Sequence, residues 1–84
     1  MPTICKFKGV IIRMYLTGKE HNPPHIHAYY GKYAAIFLIE TGELYLGVFP
    51  KKKFALVKEF TTKYKDELLE MWNSGTYKSL PGLK

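Results

Sequence analysis

The sequence predicts an α+β fold: a small antiparallel β-sheet of four to five strands, built as a meander of hairpins and covered on one face by a long C-terminal α-helix. Three observations lead there. Short β-rich runs are joined by glycine-containing links, as antiparallel neighbours are. Pro50 ends the period-two region, and from Lys51 the apolar residues recur at steps of three and four, the period of a helix. The helical stretch then runs to residue 73 without Gly or Pro. At 84 residues the chain reads as one domain over residues 1–84, with sheet to residue 50, helix over 51–74 and a tail over 75–84. That length suits a single thin core, not a deep cofactor cleft.

Residues 3–7 and 10–16 are β-rich runs around Lys8-Gly9. They predict a hairpin in which Gly9 supplies the positive φ of a tight turn and Phe7 pairs with Val10. On the second strand Val10, Ile12 and Met14 alternate with Ile11, Arg13 and Tyr15, so the face bearing Arg13 and Tyr15 is the more polar one. Thr17-Gly18-Lys19-Glu20 then leads into His21-Asn22-Pro23-Pro24-His25-Ile26-His27, which holds every histidine in the chain. Each proline fixes its own φ at about −65° and restricts the residue before it, so the connection is a stiff, extended elbow.

After the elbow, His25–Tyr30 reads as a strand whose period of two puts His25, His27 and Tyr29 on one face and Ile26, Ala28 and Tyr30 on the other. Tyr30-Gly31-Lys32-Tyr33 suits a type II′ turn into a strand over residues 33–39. In that register His27 faces Ile36 and His25 faces Leu38, and Ala34, Ile36 and Leu38 wall the histidine face. Such a wall lowers imidazole pKa values by desolvation unless a carboxylate lies near. Glu40-Thr41-Gly42-Glu43 makes a third turn and residues 44–48 a shorter strand. Carboxylates in such a turn are ordinarily solvated.

In the helix, Phe54, Val57, Phe60, Tyr64, Leu68 and Trp72 form the stripe, widened by Leu56 and Leu69. Thr61-Thr62 is its weakest point for helix propensity, where it can split in two. Ser74-Gly75 is the stop, and the tail lies on the surface or docks through Leu80 and Leu83. The stripe is expected to cover Ile12, Ala28 and Phe37, leaving the opposite sheet face open to a ligand or partner. Lys51, Lys52 and Lys53 stand at the helix N-terminus, where positive charge opposes the macrodipole. They read either as contacts to phosphate or an acidic partner or as an ordinary solvated charge run.

Composition limits the class of partner. A formal charge of +6 favours acidic partners, nucleic acid or protein. Aromatic residues make up 15 % of the chain, seven of them Tyr, enough to expose rings for partner or base contacts. Cys5 is the sole cysteine, so no internal disulfide forms, and a buried thiol in a reducing, cytoplasmic compartment is expected. Neither a basic run followed by a long apolar stretch at the N-terminus nor a membrane-length apolar segment is present, so a soluble protein without membrane contact is expected.

Met1-Pro2-Thr3-Ile4, Phe7-x-Gly9, Ile12-x-Met14-Tyr15, the block His21-Asn22-Pro23-Pro24-His25-Ile26-His27, Gly47-x-Phe49-Pro50, Val57-Lys58-Glu59 and Glu67-Leu68-Leu69-Glu70-Met71-Trp72 together resemble the DUF4160 family of small bacterial proteins. The likeness runs from Met1 to about Trp72, and the His-x-Pro-Pro-His-x-His block is its most specific piece. The family is a domain of unknown function, often encoded beside a DUF2442 protein in an arrangement that resembles a toxin–antitoxin operon. The resemblance therefore implies a toxin-like member of such a pair with a cognate DUF2442-like antitoxin as partner, and His21, His25 and His27 match the family's histidine block. Phe60 stands where relatives tend to carry Trp.

Three functional readings follow. In the first, a metal-independent ribonuclease, one imidazole of His21, His25 or His27 takes the proton from a ribose 2′-OH and a second protonates the leaving oxygen. Arg13 or a lysine would steady the phosphorane. His25 and His27, about 6 to 7 Å apart by the strand rise, suit the flanks of one phosphate. In the second, His21, His25 and His27 hold zinc or another divalent metal, with a fourth ligand from Glu20, Glu40 or water. The third needs no cofactor. There the histidines are structural, hydrogen-bonded to backbone groups beside the double proline, and the exposed basic and aromatic face engages a partner protein. Tyr15, Tyr29, Lys51, Lys52 and Lys53 are the candidate contacts to nucleic acid or a partner, a homodimer being a further arrangement.

Overall fold

The computed structural model describes residues 3–15 and 23–83. Five strands, β1 (Thr3–Phe7), β2 (Val10–Arg13), β3 (His25–Tyr30), β4 (Tyr33–Leu38) and β5 (Leu44–Val48), precede two helices, α1 (Lys51–Lys63) and α2 (Lys65–Ser74). The strands form one antiparallel sheet in the order β1-β2-β3-β4-β5, a pure meander. The fold is thus α+β, with five strands among the described residues where four to five were expected. The local turn chemistry explains the topology. Lys8 and Gly9 both take positive φ (49° and 83°), the signature of a type I′ turn, and Phe7 pairs with Val10. At the next hairpin Gly31 alone of the central pair has positive φ, as a type II′ turn requires.

Helices cover one face. Ile12, Ile26, Ala28 and Phe37 from the sheet are buried with Val57, Phe60, Leu68 and Met71 from the helices. Ring contacts seal the layer: Phe7 on Phe60 at 5.2 Å between centroids and Phe37 on Phe54 at 5.5 Å. Apolar burial on this scale is what a chain of this size has to set against its conformational entropy.

One long helix was expected; two are present. Thr61 Oγ1 donates to the Val57 carbonyl (2.7 Å) and Thr62 Oγ1 to the Lys58 carbonyl (2.9 Å), back-bonding that bends a helix. Tyr64 then leaves helical geometry (φ −107°, ψ 22°) while its carbonyl accepts from the Leu68 N–H, so α2 starts at once and the apolar stripe keeps its phase. Asp66 and Glu67 in the first turn of α2 suit its dipole, and Gly75, left-handed at φ 74°, ends it.

The tail docks. The Leu80 N–H donates to the Ile4 carbonyl (2.8 Å), the Tyr64 hydroxyl donates to the Gly82 carbonyl (3.1 Å), and Leu80 is buried. It covers the outer edge of β1 and shields Cys5, whose thiol burial pushes above the ordinary range. At the other edge of the sheet β5 carries a bulge: Ile36 pairs with Leu46 and Phe37 with Leu44, leaving Tyr45 as the extra residue. Among the described residues no helix is long and apolar enough to cross a membrane.

Candidate site on the open sheet face

The face away from the helices is ordered by cross-strand pairing into rows. One row runs Thr3, Arg13, His27, Ile36, Leu46, one residue from each strand. A second, two residues along on β2 to β5 and three on β1, where the register shifts, runs Lys6, Ile11, Tyr29, Ala34, Val48. His25 faces Leu38 in a third, so the predicted registers of both histidines hold. Paired residues project to the same side. The period of two in β3 therefore brings His25, His27 and Tyr29 to the face that β2 supplies with Arg13.

His25 and His27 stand side by side with ring centroids 5.2 Å apart, but in different surroundings. His25 is only 5 % exposed. Its ring lies 5.0 Å from that of Trp72, near the end of α2, and its Nδ1 is 2.9 Å from the Pro23 carbonyl. Because that carbonyl can only accept, Nδ1 carries a proton and donates. The two imidazoles share a strand face but not an environment: a helix residue far along the chain closes over His25. Trp72 had a signal in the sequence, its place in the helical stripe, but periodicity did not tell that it would meet a histidine.

His27 is half-buried and belongs to an aromatic group. Tyr15 meets it edge to face at 4.1 Å, and the Tyr15 and Tyr29 hydroxyls lie 2.7 Å apart in a hydrogen bond. Arg13 places its guanidinium carbon 5.4 Å over the Tyr29 ring, and its Nε donates to Thr3 Oγ1 at 3.2 Å. Burial first, and the Tyr15 hydroxyl second, hold Tyr29 above the ordinary phenol range, with Arg13 opposing them. Arg13, Tyr15, His27 and Tyr29 are therefore one contiguous cluster of a cation, two phenols and an imidazole.

The remaining expected site residues fall elsewhere. Lys51, Lys52 and Lys53 are not beside the histidines. Lys53 Nζ donates to the Lys8 carbonyl (3.0 Å) and sits 4.9 Å over the ring of Tyr30, which belongs to the helix-covered face at the opposite end of β3 from His25, about 16 Å along the strand. His21 and Glu20 lie outside the described residues. Among the described ones no three His, Cys, Asp or Glu side chains converge on a metal position. Glu40 follows the sheet end nearest the elbow, where the Ile39 N–H donates to the Pro24 carbonyl at 3.0 Å, and it is exposed.

What sequence reasoning missed is that β5 extends the expected apolar wall of Ala34, Ile36 and Leu38 across this face. Leu46 and Val48 of β5 are 62 % and 70 % exposed and continue the rows that begin at Thr3 and Lys6. Ile36 and Leu38 beside them are only partly covered. The alternation in Leu44-Tyr45-Leu46-Gly47-Val48 was visible, but which face it served depended on the bulge at Tyr45.

No curated protein and no solved structure matches the chain. The model of one protein family, described as a domain of unknown function, matches residues 9–73, a span that includes the histidine elbow, the sheet from β2 onward and both helices as far as Asn73. Covering well over half of the 84 residues, that match makes the chain a member of the DUF4160 family.

Proposed function

We propose that this protein is a cytoplasmic, partner-binding component of a bacterial two-protein pair of the toxin–antitoxin kind, and that the open sheet face is where its cognate protein docks. The observation that carries this reading is the exposure of Leu46 and Val48 on a face the helices leave uncovered, beside the Arg13, Tyr15, His27 and Tyr29 cluster. Large aliphatic side chains grouped on one surface mark interaction sites, and tyrosine and arginine are the residues most often found to dominate binding energy there. His25 has a structural role in this reading, pinning the elbow to the start of β3 through Pro23. The test is co-purification with the protein encoded beside it, a DUF2442-like chain by the family resemblance, using wild type and Leu46→Asp/Val48→Asp. Undiminished binding by the double variant would exclude this face.

A second reading, ribonuclease activity, is favoured by one specific feature: an arginine, an imidazole and a phenol pair in contact on an open surface. There His27 would take the proton from a ribose 2′-OH, the 2′-oxygen would attack the phosphorus, and the 5′-oxygen would leave with a proton from the tyrosine pair. Arg13 would balance the phosphorane charge. RNA cleavage that resists EDTA and is lost in His27→Ala but kept in His25→Asn would support it. Absence of cleavage by the wild-type chain would end it.

A further inference from the structure

The open face has two halves of different chemistry, and the rows set the distance between them. Across β1 to β3 its charged side chains are Lys6 and Arg13. Across β4 and β5 it is aliphatic: Ile36, Leu38, Leu46 and Val48. None of the five strands contains Asp or Glu, so every formal charge on the sheet itself is positive. Arg13 and Leu46 are three strand spacings apart in one row, about 14 Å, and Lys6 and Val48 four apart in the next, about 19 Å.

We infer that the occupant of this face is an acidic, amphipathic protein segment. Its apolar side chains seat on Ile36, Leu38, Leu46 and Val48, and its carboxylates reach Arg13 and Lys6 on the far side of β3. This rests on the docking face proposed above and names the chemistry of what docks there. Charge complementarity selects the sign: cations without an acid on the same sheet attract carboxylates and repel basic segments. A second copy fits poorly, because two chains of +6 would bring like-charged faces together. RNA fits the cationic half alone. Leu46 and Val48 present no flat ring for a base to stack on, and the Tyr29 ring is already engaged by Arg13.

The test uses the full chain, isotope-labelled for NMR, and three probes: a short amphipathic peptide of leucines and glutamates, the same peptide with lysines in place of the glutamates, and a short single-stranded RNA. The glutamate peptide is expected to shift the amides of β4, β5 and Arg13 and to bind at least about tenfold more tightly than its lysine counterpart. Lys6→Glu/Arg13→Glu should reverse that order, and Leu46→Asp should abolish binding of both peptides, with urea midpoints confirming that the variants fold. Equal affinity for the two peptides overturns the inference. So does RNA binding at these amides that survives Leu46→Asp, or self-association that Leu46→Asp abolishes. If the neighbour-encoded protein binds this face while the glutamate peptide has no advantage, the docking reading stands and the acidic segment falls. If neither binds, both fall.

Discussion

His25→Ala is the substitution whose outcome most directly separates a structural from a chemical histidine. The side chain is 5 % exposed, its Nδ1–H donates to the Pro23 carbonyl at 2.9 Å, and its ring lies 5.0 Å from Trp72 and 5.2 Å from His27. Removing the donor loses a hydrogen bond and leaves a partly buried carbonyl without it, about 1 to 2 kcal/mol. Losing the ring contact with Trp72 adds about 0.5 to 1.5 kcal/mol, so the expected destabilisation is about 1.5 to 3.5 kcal/mol. For a domain of this size that is a fall in Tm of at least roughly 6 °C. Urea unfolding followed by the fluorescence of Trp72, the sole tryptophan, measures it. His25→Asn, which keeps an N–H donor near the position of Nδ1, should recover part of the loss. His27→Ala, at a half-buried ring, should lose about 1 kcal/mol or less. A His25→Ala variant within about 0.5 kcal/mol of wild type, or one less destabilised than His27→Ala, would refute the structural assignment.

Other outcomes follow from the same geometry. Leu46→Asp/Val48→Asp should change the urea midpoint little, about 0.5 kcal/mol or less per site, because both side chains are already in water; a large loss would mean the face is covered in the protein alone. Tyr64→Phe removes the bond to the Gly82 carbonyl and should cost about 1 kcal/mol while speeding hydrogen exchange at the Leu80 amide, which is tied to Ile4. Cys5 should react slowly with a thiol reagent at neutral pH and quickly once urea unfolds the chain, since burial raises its native pKa and keeps the thiolate scarce. By linkage the unfolded thiol releases its proton first, so this contribution to stability is complete below the ordinary thiol pKa and is lost as pH rises through it toward the native value. Replacing Cys5 by Ala should flatten that part of the pH profile.

The sequence by itself determined what depends on neighbours along the chain. Lys8-Gly9 and Gly31-Lys32 dictate tight turns, tight turns dictate antiparallel register, and register together with the two-residue period sets His27 opposite Ile36 and His25 opposite Leu38. The helix break was legible only as a weak point at Thr61-Thr62, where hydroxyls bond to carbonyls four residues back, and one long helix was still the expectation. Only the tertiary structure decided how each of these groups is used. Trp72 returns from the far end of the chain to close over His25, whereas Tyr15 and Tyr29 gather around His27. Lys53, just past the end of β5 where Val48 pairs with Ala34 and Ala34 with Tyr29, is brought onto the Tyr30 ring and the Lys8 carbonyl. Leu46 and Val48 read as core residues by type, yet the bulge at Tyr45 and the placement of both helices on the other face leave them in water. Periodicity sets which side of an element a residue occupies; what lies against that side depends on segments distant in sequence, and burial is a property of their packing.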